Sequence, residues 1–251
     1  MIDSFHLEAY GENAVNYNRD LSTFPILKSI LTKIMGEAVY KSPTDMGVNM
    51  ISKCIINDEV VRKAANMEVI RRYYKSLADY KQEVCSKEEV QRIEILINKL
   101  GISKDMRKVA KVALDKKENC GAEVIAIELK DGKTITGKES ELLSATSAMI
   151  INALKEINNI PDDAHLLSAD VLEKILKMKK STSYKTSYCL NIQEVLIALS
   201  ICSNMNPIIE KTLENLEELH GGEAHATYIV EKSEINVLKS LGINLTYEAK
   251  L

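Results

Sequence analysis

The sequence contains no tryptophan and only two phenylalanines, so aromatic residues make up 5% of it. A core must therefore be assembled from Ile, Leu, Val, Met and Ala. No two cysteines stand in CxxC spacing. The five present (Cys54, Cys85, Cys120, Cys189 and Cys202) are scattered. An odd, dispersed set fits reduced thiols of the cytosol better than a disulfide framework. No apolar run approaches the ~20 residues needed to span a bilayer. The N-terminus has no basic stretch leading into an apolar one, so no secretion signal is visible. Neither sign of charge dominates: 33 Lys and Arg face 36 Asp and Glu, for a net charge of −3. That balance argues against a nucleic-acid groove. The expectation is a cytoplasmic protein without a membrane or nucleic-acid partner.

What is present is ordinary globular material. The 251 residues are 45% hydrophobic and 27% charged, enough for one large domain or two small ones. Residues 1–17 read as a looped lead-in. Asn18 or Asp20 can cap a helix through Ile26, Leu27, Ile30, Leu31 and Ile34, ending near Gly36, with Pro25 in its first turn. Pro43 and Thr44 open a second helix, and Asn57 or Asp58 a long third one. Ser86 with Glu89 matches a capping box for a fourth helix, ending at Gly101. Ser103 caps a fifth, from Lys104 to Glu118.

The pattern then changes. Ala122 to Leu129 alternates and is β-branched, Lys130 to Gly132 turns, and Lys133 to Thr136 returns, which predicts a hairpin. Glu139 to Asn158 is a helix with a wide apolar arc, hence largely buried. His165 to Leu167 is a short strand candidate, followed by helices over 169–180, 192–202 and 207–219. Ala224 to Val230 reads as a strand, Ser233 to Leu241 as a helix and Ile243 to Glu248 as a last strand. The expected fold is α+β or α/β. A lead-in loop and helical subdomain fill 1–120, and a three-layer α/β subdomain with a mixed sheet fills 121–251.

Several stretches carry chemistry. Gly132 to Glu139 nearly spells a phosphate loop, but Glu139 stands where Ser or Thr should ligate magnesium, and the hairpin explains the segment. Val15 to Asp20 crowds hydrogen-bonding groups, and the planar fork of Arg19 suits phosphate or carboxylate. A helix cap with a surface ion pair is the plainer alternative. Lys41, Ser42, Thr44, Asp45 and Asn49 surround a helix start, where backbone N–H groups attract anions. Gly47 inside that helix costs about 1 kcal/mol and suggests that something approaches closely. Glu223 and His225 would share one face of a strand and could hold zinc with a third ligand such as His6 or His165, whereas a satisfied histidine at a strand start is the plainer reading. The glycine pair after His220 forbids the helical zinc motif. Arg71, Arg72 and Lys75 read as a solvated helix face.

FHLEAYG (Phe5 to Gly11), VNYNRD (Val15 to Asp20), YKSPTDMGVNM (Tyr40 to Met50), RRYYK (Arg71 to Lys75), EVLIALSIC (Glu194 to Cys202) and LGINLTYE (Leu241 to Glu248) resemble a bacterial family of unknown function, numbered one-eight-four-six among such domains. The resemblance implies a helical subdomain followed by an α/β subdomain similar in outline to the deaminase fold. A deaminase site is not implied, because the chain lacks the His-x-Glu and Pro-Cys-x-x-Cys zinc pattern. His225 fits the family's segment and His220 does not. Family members are about twice as long, and some are labelled ATP-dependent zinc peptidases. Their N-terminal half looks like a nucleotide-binding α/β domain with a Gly-Ser-Gly-Lys loop. The expectation is that this chain is the C-terminal half alone, with that loop domain absent.

The leading expectation is thus a nucleotide- or phosphate-binding protein. Arg19 and Lys41 would contact the anion, Asn16, Tyr17, Asn18, Ser42, Thr44 and Asn49 would orient it, and Asp45 would serve as metal or base partner. ATP and magnesium are the cofactors implied for the full-length protein. A zinc hydrolase using His6, Glu223 and His225 and a non-catalytic homo-oligomerisation module are the alternatives.

Overall fold

The computed structural model describes residues 24–36, 58–182 and 188–249. The chain separates into two compact units, residues 1–107 and 108–251. The second helix expected from Pro43 lies outside the described residues.

In the first unit, α1 spans Phe24–Met35 and ends at Gly36. The long helix α2, Asp58–Lys81, buries Val69, Ile70, Tyr74 and Ala78. Helix α3, Lys87–Leu100, is closed by Gly101 with φ +63°. Ser86 precedes α3 in extended conformation, but its hydroxyl makes no cap hydrogen bond, so the expected capping box does not form. Tyr73 on α2 donates to Glu94 on α3 at 3.0 Å. Arg71 and Arg72 correct the expectation of a solvated face. Both donate to the nearly buried Glu68, at 3.1 and 2.8 Å, and only Lys75 stays in solvent, paired with Asp79. A buried carboxylate draws its guanidinium partners inward, because an unpaired charge there would be costly.

The second unit begins with α4, Lys108–Cys120. Ser103 caps a short 3-10 turn, Lys104–Met106, and the backbone breaks at Arg107 before α4 starts, so the single fifth helix expected from the sequence is two pieces. The units therefore part after Arg107, ahead of the division expected near residue 120, because α4 packs on the sheet. Strands β1 (Val124–Glu128) and β2 (Thr134–Lys138) form the expected hairpin, with Ile127 opposite Ile135. Gly132, at φ +84°, makes the turn, and Lys133 N–H bonds to the Asp131 carboxylate. Helix α5 spans Ala145–Ile157, α6 Ala169–Thr182, α7 Ile192–Ser203 and α8 Pro207–Glu214. A 3-10 turn, β3 (Glu223–Ala226), α9 (Lys232–Ser240) and β4 (Asn244–Tyr247) follow.

The sheet order is β2-β1-β3-β4. The first two pairings are antiparallel and β3–β4 is parallel, so the sheet is mixed. Strand β1 is buried on both faces. Val124 and Ala126 meet Val109 and Ala113 of α4, while Ile125 and Ile127 enter the large core with Met149, Ile150 and Leu154 of α5. Each of the buried Val, Ile, Leu and Met side chains contributes roughly 1.5–3 kcal/mol of burial. Helix, sheet and helices make three layers. Gly137 on β2 sits so close to α5 that a Cβ there would lie 2.6 Å from Met149 Cα. The second glycine of the phosphate-loop look-alike thus serves helix–strand contact.

Two further expectations are corrected. His165–Leu167 is not a strand; Leu166 and Leu167 are both buried in a bend. The helix expected from Glu139 starts at Ala145, because Leu143 bridges to Leu190 and Ser144 caps the helix. Among the described residues no helix is long and apolar enough to cross a membrane.

Candidate functional site

A polar constellation in the second unit lies where α5, α7 and α9 converge. Ser144 is the N-cap of α5 and accepts from Ser147 N–H at 3.2 Å. Asn191 caps α7 in a full capping box with Glu194, whose carboxylate also takes Lys179 at 2.7 Å. Between these two helix starts stands Glu234 of α9, 5% exposed. Its carboxylate accepts from Ser144 Oγ at 2.8 Å, Thr146 Oγ1 at 3.2 Å and Ile192 N–H at 3.4 Å. Two positive helix ends thus share one internal carboxylate.

Burial raises the Glu234 pKa above the ordinary glutamate range, and the three donors hold it back only in part. Ser147 Oγ donates to Leu190 O at 2.8 Å, and Ser144 Oγ lies 2.9 Å from Ser147 Oγ, so the serine pair links the Glu234 carboxylate to the backbone ahead of α7. Tyr228 OH, 2.9 Å from Thr146 Oγ1, extends the chain of hydroxyls outward, and its own pKa is raised by burial. Chemically, this arrangement can hold a proton and tie three helices together.

On the opposite face of the sheet, Lys117 of α4 grips both oxygens of Glu123 at 2.7 Å, and Thr227 Oγ1 donates to the same carboxylate. Glu223 and His225 do share one face of β3. Register sets His225 opposite Ala126 on β1 and Thr246 on β4, on the α4 side. His225 is fully buried, with Nδ1 2.8 Å from Thr246 Oγ1 and Nε2 3.3 Å from Glu248 Oε1. Glu223 accepts from Asn244 Nδ2 at 3.0 Å. His165 is exposed, and the His220 ring lies against Gly242. Among the described residues no three His, Cys, Asp or Glu side chains are grouped to hold a metal ion.

His6, Asn16, Tyr17, Asn18, Arg19, Lys41, Ser42, Thr44, Asp45 and Asn49 lie outside the described residues. Sequence reasoning missed the Glu234 network. One signal was available: Glu234 precedes Leu238 by four and Leu241 by seven, which places it within the apolar stripe of α9.

Comparison with known families assigns both parts of the chain. Residues 105–251 match the domain of unknown function DUF1846, C-terminal, and residues 1–101 match its N-terminal counterpart. The chain belongs to the DUF1846 family. A protein named UPF0371 from Clostridium tetani (strain Massachusetts / E88) is 45% identical, with 98% of this chain and 51% of the relative aligned. One of the same name from Streptococcus pneumoniae (strain JJA) is 45% identical over 99% of this chain and 50% of its own length. One from Clostridioides difficile (strain 630) is 44% identical, covering 98% and 51%. This DUF1846 chain thus spans about half the length of the curated relatives it matches. The expectation of a C-terminal half alone is corrected, since the first 101 residues match the family's N-terminal domain.

Proposed function

We propose that this DUF1846 chain belongs to a nucleotide- or phosphate-binding protein of the bacterial cytosol, and that residues 16–19 and 41–49 supply the contacts. Arg19 and Lys41 neutralise the anion. Asn16, Tyr17, Asn18, Ser42, Thr44 and Asn49 orient it, and Asp45 is the candidate magnesium or base partner. The observation carrying this reading is the crowding of cationic, hydroxyl and amide side chains beside two helix starts in the sequence. Support also comes from the second unit, where the ionisable groups Glu123, Lys179, Glu194 and Glu234 are engaged with one another or with hydroxyls. A unit so occupied suits a scaffold. In the longer family members the implied Gly-Ser-Gly-Lys loop would share the phosphates, with ATP and magnesium as the ligand.

Calorimetric titration of the full-length protein with ATP and magnesium tests this. Arg19→Ala and Lys41→Ala should each weaken binding by about tenfold or more. Unchanged affinity removes that residue from the site.

A zinc hydrolase on Glu223 and His225, with His6 as third ligand, is the second reading, favoured by their shared face of β3. Metal analysis of the purified protein decides it, and a preparation without stoichiometric zinc ends it.

A further inference from the structure

A cavity of about 460 Å³ opens in the second unit between the hairpin turn, the last turn of α5 and the 3-10 turn Asn215–Leu219. Small-molecule sites span roughly 300–1,000 Å³. Leu129 and Ile157 give the cavity an apolar patch. Its charged residues are unevenly used. Lys133 pairs with Glu156 and stands 4.0 Å from Asp131, so these three engage one another. Lys130 of the hairpin turn and Glu218 of the 3-10 turn line the same cavity and are exposed. Neither has an ion-pair partner among the described residues. Two amides accompany them. Asn159, just past the end of α5, holds φ +53°, a left-handed conformation that asparagine tolerates. Asn215 donates to Asn158 Oδ1 at 2.6 Å, which fixes its amide and leaves its oxygen as an acceptor.

We propose that this cavity binds a free α-amino acid with an aliphatic side chain. Lys130 takes the α-carboxylate, Glu218 takes the α-ammonium, and Leu129 and Ile157 meet the side chain. The C-terminal end of α5 borders the cavity, and the negative end of its dipole adds to the preference for an ammonium group there. The amide oxygens of Asn159 and Asn215 are acceptors for the remaining ammonium protons. A simple anion is disfavoured, because three carboxylates line the cavity against two lysines. A simple cation would leave the Lys130 charge opposing it. A dipolar ligand satisfies both charges at once, and through charge-assisted hydrogen bonds, which are the stronger kind. The Lys133–Glu156 pair ties the hairpin turn to α5, so two walls of the cavity are already joined without a ligand. This inference is independent of the anion reading, whose residues belong to the first unit.

Titration of the isotope-labelled 251-residue chain with L-leucine, followed through its backbone amide signals by NMR, tests it. The expected result is saturable shifts over residues 129–133, 156–159 and 215–218, with a Kd of about 1 mM or tighter. Leucinamide lacks the carboxylate and N-acetyl-leucine lacks the ammonium, and each should bind about tenfold more weakly or worse. Lys130→Met and Glu218→Gln should each cause a similar loss for leucine itself. Both positions are exposed, so circular dichroism should stay unchanged. An absence of saturable shifts overturns the proposal, as do shifts confined to other residues. Equal binding of leucine and its two blocked forms overturns it as well, and so does unchanged affinity in either variant.

Discussion

The Glu234 carboxylate accepts a hydrogen bond from Ser144 Oγ at 2.8 Å, joining residues 90 apart in the chain. Its other oxygen takes Thr146, and Ile192 N–H completes the set. Replacement by alanine would leave buried donors on two helix starts without an acceptor. Glu234→Ala should therefore cost about 3 kcal/mol in urea unfolding. Glu234→Gln keeps an acceptor for Ser144 and Ile192 and should cost less than about 1 kcal/mol.

The same residue should shape the pH dependence of stability. Its folded pKa is raised above the ordinary 4.5 by burial, so the folded state holds the proton more tightly than the unfolded chain. The contribution is complete below the ordinary value and is lost as pH rises through the folded one. The stability of the wild type relative to Glu234→Gln should fall as pH rises above the ordinary 4.5. A flat or rising difference across that range would contradict the burial argument.

Gly137 should tolerate no side chain. A methyl group there meets the backbone of Ala145 and Met149, which cannot swing aside as a side-chain tip can. Gly137→Ala should cost about 3 kcal/mol, read as a lowered thermal midpoint. Gly101→Ala serves as a comparison, since a Cβ there meets no atom within 4 Å and only the backbone strain of φ +63° remains.

Two similar capping signatures should respond differently. Asn191 accepts from Glu194 N–H at 3.0 Å and closes a capping box. Ser86 makes no cap bond. Asn191→Ala should cost about 1 kcal/mol, and Ser86→Ala less than about 0.5. Equal losses in chemical denaturation would show that the two caps do not differ in solution.

Much of the fold was legible because it rests on local periodicity. The long apolar faces of α2 and α3, the turn at Asp131 and Gly132 and the burial of α5 all follow from residues close in sequence. What failed was decided from far away. Leu143 bridges to Leu190, which keeps α5 from starting at Glu139. Leu166 and Leu167 are apolar because the core needs filling there, with no neighbouring strand to pair them. The exception is local: Glu68, three and four residues before Arg71 and Arg72, gathers them inward, where a charge run suggested solvent. Glu234 drew no reading from the sequence, since its partners come from two other stretches of chain, Ser144–Thr146 and Ile192. The anion-site residues, by contrast, were picked from local composition, and they fall in 16–19 and 41–49, outside the described residues.

The placement of β3 at the centre of the sheet has a bearing on synthesis. Its neighbour β1 is made about a hundred residues earlier, and Thr227 reaches back to Val124 to lock the pair. As the nascent polypeptide leaves the ribosome, the hairpin and five helices of the second unit emerge before the strand that completes the sheet. The hairpin can cover one flank of α5 early, but the layer closes only when the final stretch arrives to pair β3 with β1.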